Sequence, residues 1–132
     1  MTNMTTVLKT LAALALIGGL GTAPALAGGP GPEGSWQSSN GEARVNVTLC
    51  GDGTQLCAQL ISVSGEARTE GNLELLNAYV VNEARPVTET TWKGTVHFDG
   101  DSAMGSIELV SDSTMTVSGC KLICKTFEFN RI

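Results

Sequence analysis

Histidine, basic side chains and long apolar runs are all scarce in this chain, and each scarcity weighs against a class of function. His97 is the only histidine among 132 residues. It falls on the polar side of an alternating segment with no Ser or Cys nucleophile beside it. A catalytic or metal-binding histidine therefore has little support. Eight Lys and Arg stand against 13 Asp and Glu, a formal net charge of −5. A surface of that sign repels phosphate backbones and anionic lipid, so no nucleic-acid partner is expected. The apolar stretch at residues 11–17 is too short to cross a bilayer, where roughly 20 residues are needed, and Gly18, Gly19, Gly21 and Pro24 interrupt it. No membrane span is expected in the mature chain. Cys-x-x-Cys is missing, which removes the usual redox pair. The Cys-x6-Cys and Cys-x3-Cys spacings are longer than a zinc knuckle uses.

The N-terminus has the makings of a secretory signal. Lys9 leads into the apolar residues 11–17, and Ala25-Leu26-Ala27 has the small-x-small form that signal peptidase accepts. The expectation is a signal peptide over residues 1–27, and a mature protein in the bacterial periplasm or secreted. No cysteine stands directly after the cleavage site, so a lipid anchor has no support. Cys50, Cys57, Cys120 and Cys124 all lie in the mature part. An even count in a small exported domain indicates disulfides. Four cysteines allow three connectivities. Because each pair flanks its own turn, Cys50–Cys57 with Cys120–Cys124 is favoured, and the other two stay open. Closing such short loops contributes roughly 2–2.5 kcal/mol each.

Residues 28–33, rich in Gly and Pro, read as a flexible lead. Residues 34–132 form a single domain in which the apolar pattern repeats every second residue. Trp36-Gln37-Ser38 begins a strand, and Asn40-Gly41 signals a two-residue hairpin turn. Ala43, Val45, Val47 and Leu49 share one face; Leu56, Ala58 and Leu60 repeat it after Gly51-Asp52-Gly53. Trp92, Val96 and Phe98 share a face before the Asp99-Gly100 turn. Ile107 and Leu109, Met115 and Val117, then Phe127, Phe129 and Arg131 continue the rhythm. Residues 66–86 read two ways. Leu73, Leu76 and Val80 suit a short helix, Ala78-Tyr79-Val80-Val81 suit a strand, and a strand from Tyr79 onward is favoured.

Short strands separated by turn signals predict an all-β sandwich or barrel. Hairpin-length connections favour a small antiparallel up-and-down β-barrel of about seven or eight strands, and closure would remove exposed strand edges. Val45, Val47, Leu60, Val96, Ile107 and Met115 would line its interior, which holds side chains or one small ligand. Trp36 near one end of the domain and Arg131 near the other fall on neighbouring strands of such a barrel. They would close it by a cation–π stack of roughly 0.5–2 kcal/mol.

Gly34-Ser35-Trp36 with a C-terminal Arg131 resembles the calycin superfamily, which holds the lipocalins. Adding Asn40-Gly41-Glu42-Ala43, Cys50-Gly51, Leu56-Cys57, Trp92-Lys93-Gly94, Gly119-Cys120, Leu122 and Cys124 gives a closer likeness. Read in order, these resemble bacterial domain-of-unknown-function family 2147. The resemblance implies a small exported lipocalin-like barrel and carries no settled activity. The Asn-Pro-Asp-Pro stretch usual in that family is echoed only by Asn72 and Arg85-Pro86, and Phe129 stands where the family tends to carry Trp.

Other constellations have plain readings. Asp99-Gly100-Asp101 would bind calcium only if Asp112 came close, and the same residues are what a hairpin turn requires. Acidic pairs of glycosidase type have no separation fixed by sequence. Asn46-Val47-Thr48 matches a glycosylation acceptor but lies in mid-strand. With no catalytic group assembled and no cofactor expected, the reading is a non-catalytic binding or structural protein of the cell envelope. Its partner would be a small apolar ligand or a protein. The alternative is an inhibitor of a secreted protease or lysozyme, a class that small disulfide-stapled barrels resemble, acting through the 28–33 lead or the loops. An enzyme stands third.

Overall fold

The computed structural model describes residues 31–132, so the expected signal peptide at 1–27 and the first part of the 28–33 lead lie outside it. Eight strands follow in order: β1 (Gly34–Ser38), β2 (Ala43–Cys50), β3 (Gln55–Val63), β4 (Tyr79–Thr88), β5 (Thr91–Phe98), β6 (Asp101–Leu109), β7 (Thr114–Cys120) and β8 (Cys124–Arg131). Each is hydrogen-bonded to its sequence neighbour, and β8 returns to β1, so the sheet is a closed up-and-down barrel. The closing ladder is antiparallel and pairs Trp36 with Arg131, Gln37 with Asn130 and Ser38 with Phe129. The one long connection, between β3 and β4, holds a 3-10 turn (Gly65–Ala67) and a short helix α1 (Glu70–Glu74). Both readings of residues 66–86 are therefore realised, the helix first and the strand from Tyr79.

Period-two alternation puts Val45, Val47, Leu56, Ala58, Leu60, Val96, Ile107 and Met115 inside, all buried. β4 breaks the alternation. Its buried residues Val81 and Ala84 are three apart because Glu83 sits at φ 54° and the register with β5 shifts between Val81 and Arg85. Such a bulge bends the strand and re-aims its side chains. Leu49 keeps the parity of Val45 and Val47 but is exposed, since the end of β2 runs past the barrel rim into the Gly51–Thr54 turn.

The hairpins at Asn40-Gly41 and Asp99-Gly100 differ. Asp99 and Gly100 both take positive φ, 52° and 75°, the pair a two-residue type I′ turn requires. Asn40-Gly41 departs from the sequence expectation, because the β1–β2 connection has four residues and only Gly41 is left-handed. The polar side chains take over there. Ser38 Oγ accepts from the backbone N–H groups of Glu42 (3.1 Å) and Ala43 (2.9 Å), and Asn40 Oδ1 also accepts from Glu42 N–H (3.0 Å). An Asx-type turn has replaced the tighter one.

One end of the barrel is sealed by the pairing of its first and last strands. The Arg131 guanidinium lies 4.3 Å from the Trp36 ring centroid. It also donates to the carbonyls of Glu33 (2.6 Å) and Asp112 (2.7 Å). Trp36 is fully buried and its Nε1 donates to the Pro32 carbonyl at 2.9 Å. Pro32 and Glu33, the described end of the expected flexible lead, are thus fastened to the barrel. Trp92 Nε1 donates to the Thr54 carbonyl (3.0 Å) and fills the same end.

Disulfides join Cys50 to Cys57 across the β2–β3 turn and Cys120 to Cys124 across the β7–β8 turn. Two such bonds mark a chain that matures in an oxidising environment. Both staple local hairpins and leave strand closure to packing and hydrogen bonds.

Two outcomes follow from this construction. Arg131→Lys keeps the charge but loses the planar stack and the forked carbonyl contacts. It should cost roughly 1–3 kcal/mol, a fall of about 5–20 °C in the melting temperature read by circular dichroism; an unchanged melting temperature would show the stack to be idle. Reducing both disulfides should lower the melting temperature by more than about 10 °C in calorimetry, given roughly 2–2.5 kcal/mol for each short loop.

Candidate functional site

Trp36, Ala84 and Trp92 fill the sealed end of the barrel, and above them the interior is not full. A cavity of about 160 Å³ remains, partly open toward the end that carries the β1–β2, β5–β6 and β7–β8 turns. Val45, Val47, Leu60, Val96, Ile107 and Met115 all line it, together with Ala58. The chain's three phenylalanines complete the wall: Phe98 near the mouth on β5, and Phe127 and Phe129 on β8. Phe98 and Phe127 meet edge to face, with ring centroids 5.9 Å apart.

The β3–β4 connection straps the open end. Ala67, Leu73 and Leu76 turn toward the core, and Thr69 caps α1 by accepting from Asn72 N–H at 3.1 Å. Asn72 then latches the strap to the β5–β6 turn. Its Oδ1 accepts from Asp99 N–H at 2.7 Å while its Nδ2 donates to the Ala67 carbonyl at 2.9 Å. Gly71 permits this approach, since a Cβ there would overlap the backbone of Asp99 and Gly100.

Of the polar residues on the lining, Ser38, Asn40 and Asn72 are committed elsewhere, and His97 stands at the rim. Ser38 gives its proton to Asn40 Oδ1 (2.7 Å), and Asn40 and Asn72 have the partners already named. No Asp, Glu, Lys or Arg belongs to the lining. The two carboxyls that sit below their ordinary range are both on the surface. Asp52 is lowered by the hydroxyl and N–H of Thr54, and Asp101 by the ammonium of Lys121 at 2.7 Å and the N–H of Ser102.

Sequence-derived candidates scatter. Cys50 and Cys57 lie at the sealed end, and Cys120 and Cys124 at the open end. Trp36 and Arg131 meet below the cavity. His97 is half-buried at the rim, and no hydrogen bond joins it to Ser38 among those found in the described residues. Asp112 lies at the opposite end of the barrel from Asp99 and Asp101, so the calcium trio does not assemble. Among the described residues, no group of three His, Cys, Asp or Glu is close enough to hold a metal ion. Asn72 and Arg85-Pro86 also part company, Asn72 at the mouth and Pro86 paired with Trp92 near the sealed end. No described helix is long and apolar enough to cross a membrane.

Two surface features remain. A shallow depression of about 500 Å³, between Pro32, Leu49, Pro86, Val87 and Trp92, is larger than the interior cavity but lies open on the outside of the sealed end. At the other end, the disulfide-closed β7–β8 tip presents Leu122, 98% exposed, and Ile123, 73% exposed.

The sequence pattern alone did not single out Ala58, the three phenylalanines or Asn72 as neighbours of one space. The alternation on β5 and β8 held the signal for the phenylalanines. Scans against protein-family models, curated proteins and solved structures each found no match.

The latch generates a direct expectation. Asn72→Ala should destabilise by roughly 1–2 kcal/mol and speed hydrogen exchange at the Asp99 amide about tenfold, as followed by NMR. Exchange at the parent rate would mean that the strap is held by its apolar residues alone.

Proposed function

We propose that this barrel is a non-catalytic binding protein of the bacterial cell envelope, periplasmic or secreted, whose ligand is a small uncharged apolar molecule held inside the sheet. The observation that carries this reading is the interior cavity of about 160 Å³ with apolar walls. That volume is close to one known to stay dry and to accept a benzene-sized guest. A charged ligand would lose its hydration with no opposite charge on the lining to replace it. Catalysis lacks support in the same place, since Ser38 spends its proton on Asn40 and no acid–base pair reaches the cavity. The two disulfides and the signal-like residues 1–27 support the location. The motif order that resembles family 2147 fits the same reading, with membership part of the proposal.

A second reading, an inhibitor or other protein-binding module, is favoured by the β7–β8 tip. Leu122 and Ile123 project from a three-residue turn closed by Cys120–Cys124, so they are presented with little conformational freedom left to lose.

Both readings have a measurement. A small hydrocarbon at 100 times its dissociation constant should stabilise the parent by roughly 2.7 kcal/mol, seen as a raised melting temperature. Ala58→Leu, which places three more carbons in the cavity, should abolish that rise; a parent that never responds would end the ligand reading. For the second, a panel of secreted proteases and lysozymes should include one that the parent inhibits and Leu122→Asp does not. Absence of any inhibition by the parent would remove it.

A further inference from the structure

We infer that the interior site selects a single aromatic ring over an aliphatic body of equal size; this rests on the ligand-binding reading above and makes it narrower. Aromatic residues are rare in this chain, at 5% of the total, and phenylalanine occurs three times. All three occurrences line the one interior cavity. Chance placement in a barrel whose inward residues are mainly Val, Leu and Ala would not gather them on two strands about one space.

Their arrangement gives a ring-shaped guest specific partners. Phe127 and Phe129 are two residues apart on β8 and so face the same way, one above the other along the wall. Phe98 approaches Phe127 at 64° between ring planes, which leaves edges and faces of different polarity turned toward the cavity. An aromatic guest meets these with its own complementary quadrupole, in offset or edge-to-face contact. The Met115 thioether, paired in register with Phe129, adds a polarisable contact of the kind sulfur makes with ring edges. An aliphatic guest gains only burial.

Two further features fix the ring orientation. The Lys125 ammonium lies 5.6 Å from the Phe98 centroid, a cation–π contact that holds Phe98 from the rim. Gly119 brings the β7 backbone against Phe98, since a Cβ there would stand 3.1 Å from Phe98 Cε1. A pre-set wall costs less to engage than one that must be ordered on binding. The cavity volume limits the guest to about one ring with a short substituent.

The test uses the folded, disulfide-intact protein with toluene and methylcyclohexane, which share a methyl-ring carbon skeleton and differ in aromaticity; methylcyclohexane is the bulkier, so the Phe127→Leu comparison decides between ring recognition and fit. Affinities come from titration followed by NMR, each referenced to the compound's transfer from water to alkane. Toluene should show an excess affinity of roughly three- to tenfold. Phe127→Leu should erase that excess, with toluene losing more affinity than methylcyclohexane. Phe127 is 38% exposed, so this variant has room to fold, and Phe98→Leu serves as the second. Equal referenced affinities in the parent would overturn the aromatic inference while leaving the ligand reading intact. Binding of neither compound would overturn both. An equal loss of both guests in Phe127→Leu would reduce the wall to ordinary burial and defeat the inference.

Discussion

Closure of the sheet through β1 and β8 is the constraint on which the rest of this molecule depends. Only three residue pairs form that ladder, so hydrogen bonds alone join it weakly. The Trp36–Arg131 stack lies across it, and the same guanidinium ties the Glu33 and Asp112 carbonyls to the seam. Further main-chain bonds from Arg131 to Ser113 and from Ile132 to Ser35, each 3.0 Å, bring the neighbouring turn and strand into it. With the seam shut, a sheet of eight strands has no edge to protect and encloses a space on the scale of side chains or one small guest. An open seam would remove both the interior and the reason for its apolar lining.

The interior is stabilised in one part and sacrificed in another. The partly open cavity leaves apolar wall that a filled core would cover with packing contacts. The two disulfide loops contribute roughly 4–5 kcal/mol together. They sit at the two ends of the barrel, where they take no interior volume. Ala58 is the residue where this choice is plainest. A Leu at that inward position would fill space that the present sequence leaves empty, as binding sites often do at the expense of stability.

Much of the barrel was legible in the sequence because one physical signal governs it. On β2, β5 and β7 every second residue is apolar or glycine, and Phe127 and Phe129 keep the rhythm on β8 between Lys125 and Arg131. That signal failed where backbone geometry stepped outside it. Glu83 takes a positive φ that no propensity for Glu foretells, and the bulge it makes moves the inward role from the expected alternate position to Ala84. At Asn40-Gly41 the side chains of Ser38 and Asn40 satisfied the N–H groups of Glu42 and Ala43 so well that a looser four-residue turn won over the tight one. The strap over residues 64–78 was ambiguous because it contains both a helix and the approach to a strand. Asn72 could not be singled out, since its partners Ala67 and Asp99 are brought to it by the strap and by the β5–β6 turn respectively.

The cavity shows a different limit. Its walls draw on nearly every strand, and whether space remains among them depends on a balance of volumes that no single strand records. The six residues expected inside all face it, yet they do not give it a character, because Val, Leu and Ile line most barrels. The distinguishing feature is the placement of three phenylalanines on β5 and β8, three strands apart in the sheet, with Phe98 and Phe127 meeting across the interior. Of the polar groups near the mouth, Ser38, Asn40 and Asn72 are already bonded within a turn or to the strap. On the proposed ligand-binding reading, shape, the cost of desolvation and the quadrupole of the rings would separate one guest from another. On the proposed reading, such a site would discriminate against charge by what it withholds, and among neutral guests chiefly by the phenylalanine rings of its wall.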